Sequence, residues 1–168
     1  MRLNLPATQQ EREIDAYSSI ISKTDTKGHI TYVNQAFIDI SGFTQEELIA
    51  SPQNIVRHPD MPEAIFGDMW HTLRSDLPWS GLIKNRCKNG DFYWVKANVA
   101  PLWERGVCSG YMSVQTKPSR EEIDDAEAAY GKLQQEHARV AALRGEVVPT
   151  GLGSAKPTRK HLTRDGSQ

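Results

Sequence analysis

Apolar positions along the chain follow two periods. Residues 19–24 and 29–33 are short β-rich runs separated by Asp25-Thr26-Lys27-Gly28, the pattern of a hairpin closed by a glycine-containing turn. Asn34 then opens a spacing of Phe37, Ile38 and Ile40 that predicts a capped helix ending at Gly42. Thr44 followed three residues later by Glu47 has the spacing of a capping box, and Pro52 closes the short helix so begun. From 61 to 73 the stripe Ile65, Phe66, Met69, Trp70 and Leu73 predicts the longest helix of the core, with Pro62 near its start, where a missing N–H does no harm. Beyond Pro78 the texture turns to β. Residues 79–88, 92–103 and 107–116, joined by Asn89-Gly90-Asp91 and Glu104-Arg105-Gly106, read as an antiparallel meander.

Two strands, a cluster of short helices and three more strands predict an α+β domain with a five-stranded antiparallel sheet and its helices on one face. That domain takes residues 19–118. Residues 1–18 form an N-terminal arm or cap, read as flexible or weakly helical and outside the core, since Gln9-Gln10-Glu11-Arg12-Glu13 offers little to bury. Residues 119–144 form a connector helix with a stripe of Ile123, Ala126, Tyr130, Leu133, His137 and Val140. That stripe fits either a two-stranded coiled coil or a helix packed back on its own sheet. From 145 to 168 Gly, Pro, Ser, Thr and basic residues dominate, and a disordered tail is predicted.

Composition narrows the function. Twenty lysines and arginines against 21 aspartates and glutamates leave a net charge of −1, too balanced to attract nucleic acid by its field. Cys87 and Cys108 stand in strand-like runs without CxxC spacing, so neither a zinc site nor a redox dithiol is expected. No secretory signal and no run near the ~20 apolar residues of a membrane span is present, which points to the cytoplasm. A positioned nucleophile with its base, a dinucleotide-type glycine-rich turn and a metal cluster are all missing, so an enzyme is not expected.

The order of elements, with Thr24-Asp25, the run from Gly28 through Asn34, and Ser41-Gly42-Phe43-Thr44, resembles a PAS domain. More specific are Asn54-Ile55-Val56-Arg57-His58-Pro59-Asp60-Met61-Pro62, Pro78-Trp79-Ser80-Gly81-Leu82-Ile83-Lys84-Asn85-Arg86, Lys88-Asn89-Gly90-Asp91-Phe92-Tyr93-Trp94-Val95 and Gly110-Tyr111-Met112-Ser113. Together, over roughly residues 20 to 130, they resemble the FAD-binding PAS domain of the bacterial aerotaxis receptor family, and in part the flavin redox sensors that regulate nitrogen fixation. The resemblance implies non-covalently held FAD, a redox or oxygen sensor of the energy-taxis type, and relay of the flavin state through the sheet to the C-terminal helix. It also implies cofactor contacts from Asn34, Arg57, His58, Asp60, Trp70, Trp79, Asn85 and Asn98. Aerotaxis receptors continue into a membrane anchor and a helical signalling domain that this sequence does not carry, so a fragment or a stand-alone sensor is expected, acting as a homodimer or on a signalling partner through residues 119–144.

Several of these residues also admit plain structural roles. Period-two alternation puts Trp79, Gly81, Ile83 and Asn85 on one strand face, where Asn85 can donate or accept toward a flavin edge or be a solvated strand residue. Arg57 can meet phosphate or ribityl oxygens, or pair with Asp60, and His58 can cap the helix that follows. Trp70 can wall a pocket or pack in the core. A haem-binding or cofactor-free PAS interaction module is the alternative, with His71 as the residue a haem would need. Adduct-forming flavin photochemistry is not expected, because residues 54–57 contain no cysteine and Val95 stands where that family has an asparagine.

Overall fold

The computed structural model describes residues 4–145. Asn34 shows how local chemistry sets the first half of the fold. Its side-chain oxygen accepts from Phe37 N at 3.2 Å and from Ile21 N at 3.0 Å, and its amide donates to Ser19 O at 2.8 Å. One side chain thus caps helix α1 (Gln35–Ser41) and ties it to strand β1 (Ile20–Thr24). Strand β2 (Ile30–Val33) pairs antiparallel with β1 as the expected hairpin. The Thr44–Glu47 capping box forms, with both reciprocal bonds, at the start of helix α2 (Gln45–Leu48). A 3₁₀ turn over Gln53–Val56 leads to helix α3 (Glu63–Arg74), which starts after Pro62.

Strands β3 (Trp79–Arg86), β4 (Phe92–Glu104) and β5 (Val107–Thr116) form the meander. The sheet order is β2-β1-β5-β4-β3, antiparallel throughout, so the hairpin of the N-terminal half lies beside the last strand. The core lies between the inner sheet face and the short helices, where Phe37, Leu48, Met61, Leu73, Tyr93 and Val95 are sealed from solvent. Removing such side chains from water supplies roughly 1.5–3 kcal/mol each, which makes this layer the main source of cohesion.

Helix α4 (Arg120–Leu143) begins at a second capping box, Ser119 with Glu122. Of its two sequence readings, packing on its own sheet describes the N-terminal half. Ile123 is buried, Tyr130 stacks on Trp94 at 6.2 Å, and the Tyr130 hydroxyl donates to Leu82 O on β3 at 2.6 Å. Farther along, Gln134 Nε2 donates to Asp60 O at 3.2 Å.

The arm differs from its expectation. It is neither helical nor loose: Ile14 joins the core, and the backbone of Gln10 and Arg12 bonds to that of Phe92. Arg12 pairs with Asp91 at 3.2 Å, and the buried Asn4 amide donates to the carbonyls of Asn54, Ile55 and Arg57 at 2.8–3.2 Å. Its polar residues dock by hydrogen bonds on the start of β4 and on the 3₁₀ turn, a form of order that a count of apolar residues does not register. Apart from Gly145, the tail predicted for 145–168 lies outside the described residues.

Candidate functional site

Helices and sheet do not close completely on each other. Between α3, the 3₁₀ turn, the β1–β2 turn and the inner sheet face lies a cavity of about 400 Å3, inside the range of roughly 300–1,000 Å3 usual for small-ligand sites. Strand alternation decides which side chains reach it. Ser22 and Thr24 enter from β1, Ile83 and Asn85 from β3, Val99 from β4, and Tyr111, Ser113 and Gln115 from β5. Phe66, Met69, Trp70 and Leu73 form the helical wall. Trp70 stands edge-on to Tyr111 at 5.3 Å and borders Gly28, whose φ of 85° is the left-handed turn conformation that favours glycine.

The distribution of unpaired polar atoms sets this cavity apart. Thr24 Oγ1, Gln53 Oε1, Asn54 Oδ1, Arg57 Nη2, Asn85 Nδ2 and Gln115 Oε1 are all buried without a hydrogen-bond partner, and all six residues line it. Only His58 Nε2 and Tyr93 Oη share that condition elsewhere among the described residues. An unpaired buried polar group costs about 1–3 kcal/mol, and native folds keep few of them. Six in one cavity therefore describe a surface shaped for hydrogen-bonding occupants. Both kinds of group are present: amide and hydroxyl oxygens accept, the guanidinium donates, and amides turn to do either.

Three of the eight expected site residues meet here. Arg57 lies over the Phe66 ring at 4.3 Å, and burial depresses its pKa against the opposing pull of Glu63. Asn85 faces Arg57 through an isolated backbone bridge between β3 and the end of the 3₁₀ turn. Trp70 completes the wall and belongs to the packed layer as well, so its two readings coincide.

The other five lie elsewhere. Asn34 spends its oxygen on Phe37 N and Ile21 N and one amide hydrogen on Ser19 O, linking α1 to β1, and it does not line the cavity. Trp79 shares the inner face with Asn85 as alternation requires, but its ring lies over Gly81 and its Nε1 donates to Asp68 on α3 at 3.0 Å. A Cβ at position 81 would approach that ring to 2.5 Å, so glycine makes the room. Asn98 is exposed on the opposite face and accepts from Ser80 Oγ.

His58 and Asp60 turn away toward the far side of β3. There His58 Nδ1 accepts from Asp60 N at 3.0 Å, and the Asp60 carboxylate pairs with Lys84 at 2.9 Å. Of the two roles open to Arg57, a pair with Asp60 is not the one formed, because Asp60 pairs with Lys84 instead. Burial first, then the Lys84 and Arg86 charges, push the His58 pKa down to about 4, with Asp60 opposing. His58 is therefore neutral at pH 7, with its proton on Nε2.

Sequence reading passed over Gln115, Thr24, Gln53 and Asn54. The signal for Gln115 was the alternation of β5: Tyr111, Ser113 and Gln115 share the face that β4 fills with Val95, Ala97 and Val99, and a glutamine on an otherwise apolar inner face needs a partner. His71, the position a haem would need, is exposed and does not line the cavity.

Comparison with known proteins agrees with this geometry. The family model described as PAS fold matches residues 30–114. The chain is 45% identical over 144 residues to the aerotaxis receptor of Escherichia coli (strain K12), covering 86% of this chain and 28% of that protein. It is 29% identical over 103 residues to the nitrogen fixation regulatory protein of Klebsiella pneumoniae, covering 61% of this chain and 21% of that one. It thus spans between about a fifth and somewhat over a quarter of the length of these curated relatives. Among solved structures, a PAS domain from Colwellia psychrerythraea superimposes with a TM-score of 0.56 at 22% identity, covering 62% of this chain and 91% of that one. A light-oxygen-voltage domain studied with a flavin analogue gives 0.55 at 21%, covering 71% and 87%. With the family model covering half of its residues and the sheet order and helical layer in place, the chain belongs to the PAS-fold family.

Proposed function

We propose that this chain is a sensor module that holds FAD non-covalently in the cavity and passes the redox state of the flavin to α4, as an aerotaxis-type reporter of oxygen or energy status. The observation that carries the reading is the convergence of six unpaired buried polar atoms on one aromatic-walled cavity. An isoalloxazine ring combines a flat apolar body with a polar edge, and that combination fits walls of Phe66, Met69, Trp70 and Tyr111 interrupted by Asn85, Gln115 and Arg57. Bound there, FAD supplies reversible electron uptake with a change of protonation on its ring.

The residues of this chain do the rest. Asn85 presents an amide that turns to donate or accept as its partner changes. It lies three positions from Leu82 on β3, and the Leu82 carbonyl accepts the Tyr130 hydroxyl of α4. A small shift of β3 is felt directly at the helix, which makes this strand the lever between cavity and output. Arg57, with one nitrogen unpaired, is the wall's cationic donor to the ribityl or phosphate oxygens.

No residue pair lining the cavity joins a nucleophile to a general base, so the module reads as non-catalytic. Among the described residues no helix is long and apolar enough to cross a membrane. A cytoplasmic placement accords with Cys87 and Cys108 as free thiols. Leu133 and Leu143 on α4 stay exposed and offer apolar surface to a second copy or a signalling partner. A haem alternative lacks a histidine ligand in this cavity, since no histidine lines it.

Absorbance of protein expressed with ample riboflavin tests the reading. Flavin bands and FAD released on denaturation are expected; colourless, folded protein that takes up no added FAD overturns it. Asn85→Ala is expected to keep flavin but lose the difference in α4 proteolysis between oxidised and reduced protein. Identical redox-dependent cleavage in variant and parent would sink the β3 route.

A further inference from the structure

Helix α4 turns one side to the domain and another to solvent. Ile123 and Ala141 are buried, and Tyr130 and Gln134 bond to the domain, so these four mark the inner side. Ala129, Leu133 and Leu143 are exposed on the other side, Leu133 at 42% and Leu143 at 76%. With the partly buried Val140 they follow the alternating three- and four-residue steps of a coiled-coil seam, which here faces solvent.

Charge along this helix is divided by halves. Glu121, Asp124, Asp125 and Glu127 crowd the first half and are exposed, whereas Lys132, Arg139 and Arg144 stand in the second. Arg120, the base of the first half, is spent on Glu11 and Glu13 of the arm, and Glu136, the acid of the second, on Arg139. Among the described residues, none of the four acids, nor Lys132 or Arg144, closes an ion pair. The helix dipole favours acids at the start and bases at the end, but only within the terminal turns, so it does not account for Asp124, Asp125, Glu127 and Lys132. Glu121 with Asp124 and Asp125, and Asp124 with Glu127, are like charges three or four residues apart, which weaken an isolated helix. A covering surface of opposite sign relieves them.

We infer that the outer face of α4 pairs antiparallel with the same face of a second copy, so that the acidic half of each helix lies on the basic half of the other. A parallel pair sets acid against acid and base against base. The antiparallel pair joins opposite signs at both ends and keeps Leu133, near the midpoint of the helix, against its own copy. This rests on the reading of α4 as the output element and names its partner. Tyr130, three residues before Leu133, holds the helix to β3, so a shift of that strand reaches the pair.

Sedimentation of the purified protein over a range of concentration and salt is the test. A dimer is expected that dissociates on dilution and weakens as salt rises. Reversing the acidic half with Asp124→Lys/Asp125→Lys is expected to weaken it by about tenfold. Adding Lys132→Glu/Arg139→Glu to the same chain is expected to restore it, because the reversed halves again meet opposite signs. All four positions are exposed, so flavin content and the unfolding midpoint should stay at the parent's values. A parent that sediments as a monomer throughout overturns the pairing and leaves the stripe to a different partner. A dimer that the first reversal leaves unchanged overturns it as well, since a parallel pair opposes like charges before and after the change. So does a combined chain that stays as weak as the first variant. All three outcomes leave the flavin reading standing, whereas colourless protein that dimerises as described overturns that reading and spares the pairing.

Discussion

Strand β3 separates two polar regions built from neighbouring residues. Asn85 points into the cavity, where its amide nitrogen is unpaired, while Lys84 and Arg86 leave on the other side, where Lys84 pairs with Asp60 and Arg86 donates to Pro6 O at 2.8 Å. Likewise Arg57 reaches the cavity, and its neighbour His58 turns to the paired side. Motifs contiguous in sequence are thus divided by strand alternation and a turn into one region whose charged groups pair within the protein, His58 Nε2 alone staying without a partner, and one whose polar atoms are left unpaired. Polarity satisfied internally holds the fold together, whereas polarity left unsatisfied in a cavity is available to a ligand.

Acid separates the two regions most strongly. His58 is almost fully buried and its pKa lies at about 4 in the folded chain against an ordinary 6.5. Because the folded value is the depressed one, the unfolded chain binds more protons between these limits, and stability falls as pH drops from about 6.5 to 4. The loss reaches about 3 kcal/mol. Lys84, Arg86 and Asp60 also face this ring, so the comparison is between parent and His58→Gln urea midpoints across that window. The parent curve should slope where the variant is flat; parallel curves would refute the assignment.

Next in size is the ion pair itself. Asp60→Ala leaves the largely buried Lys84 without its carboxylate and should destabilise by roughly 2 kcal/mol, below the value for fully buried pairs because the Asp60 side chain is 43% exposed. Urea unfolding measures it, and an unchanged midpoint would mean that the pair contributes nothing. Asn4→Ala should cost about 1–2 kcal/mol by removing an amide that serves three carbonyls. Hydrogen exchange should rise at residues 53–57 before the rest of the domain; uniform exchange would place the arm outside the cavity wall.

The fold was legible in the sequence because its signals are local. Asn34 and Thr44 mark helix starts through the side-chain bonds they make, and glycine-containing turns separate the strands. Sites are less legible, since motif adjacency carries no information about facing. Asn85 was readable from alternation. The turn after Arg57, which sends His58 and Asp60 the other way, was not, and neither was the overlap of Trp79 with Gly81. The arm escaped for a further reason: it is ordered by backbone pairing with Phe92 and by one amide, neither of which leaves an apolar stripe.

Gln115→Leu gives the smallest effect on stability and the sharpest division between the regions. Its Oε1 has no partner, and its amide makes only one bond, a 3.2 Å contact to Ser113 Oγ. Leucine removes that bond and relieves a buried acceptor, so the two changes nearly offset and the flavin-free protein should shift by less than about 1 kcal/mol. FAD retention should fall, because an apolar side chain now faces the polar edge of the ligand. A midpoint that drops as far as that of Asp60→Ala, with flavin content unchanged, would mean that Gln115 belongs to the paired class and that its unpaired oxygen is no mark of a ligand site.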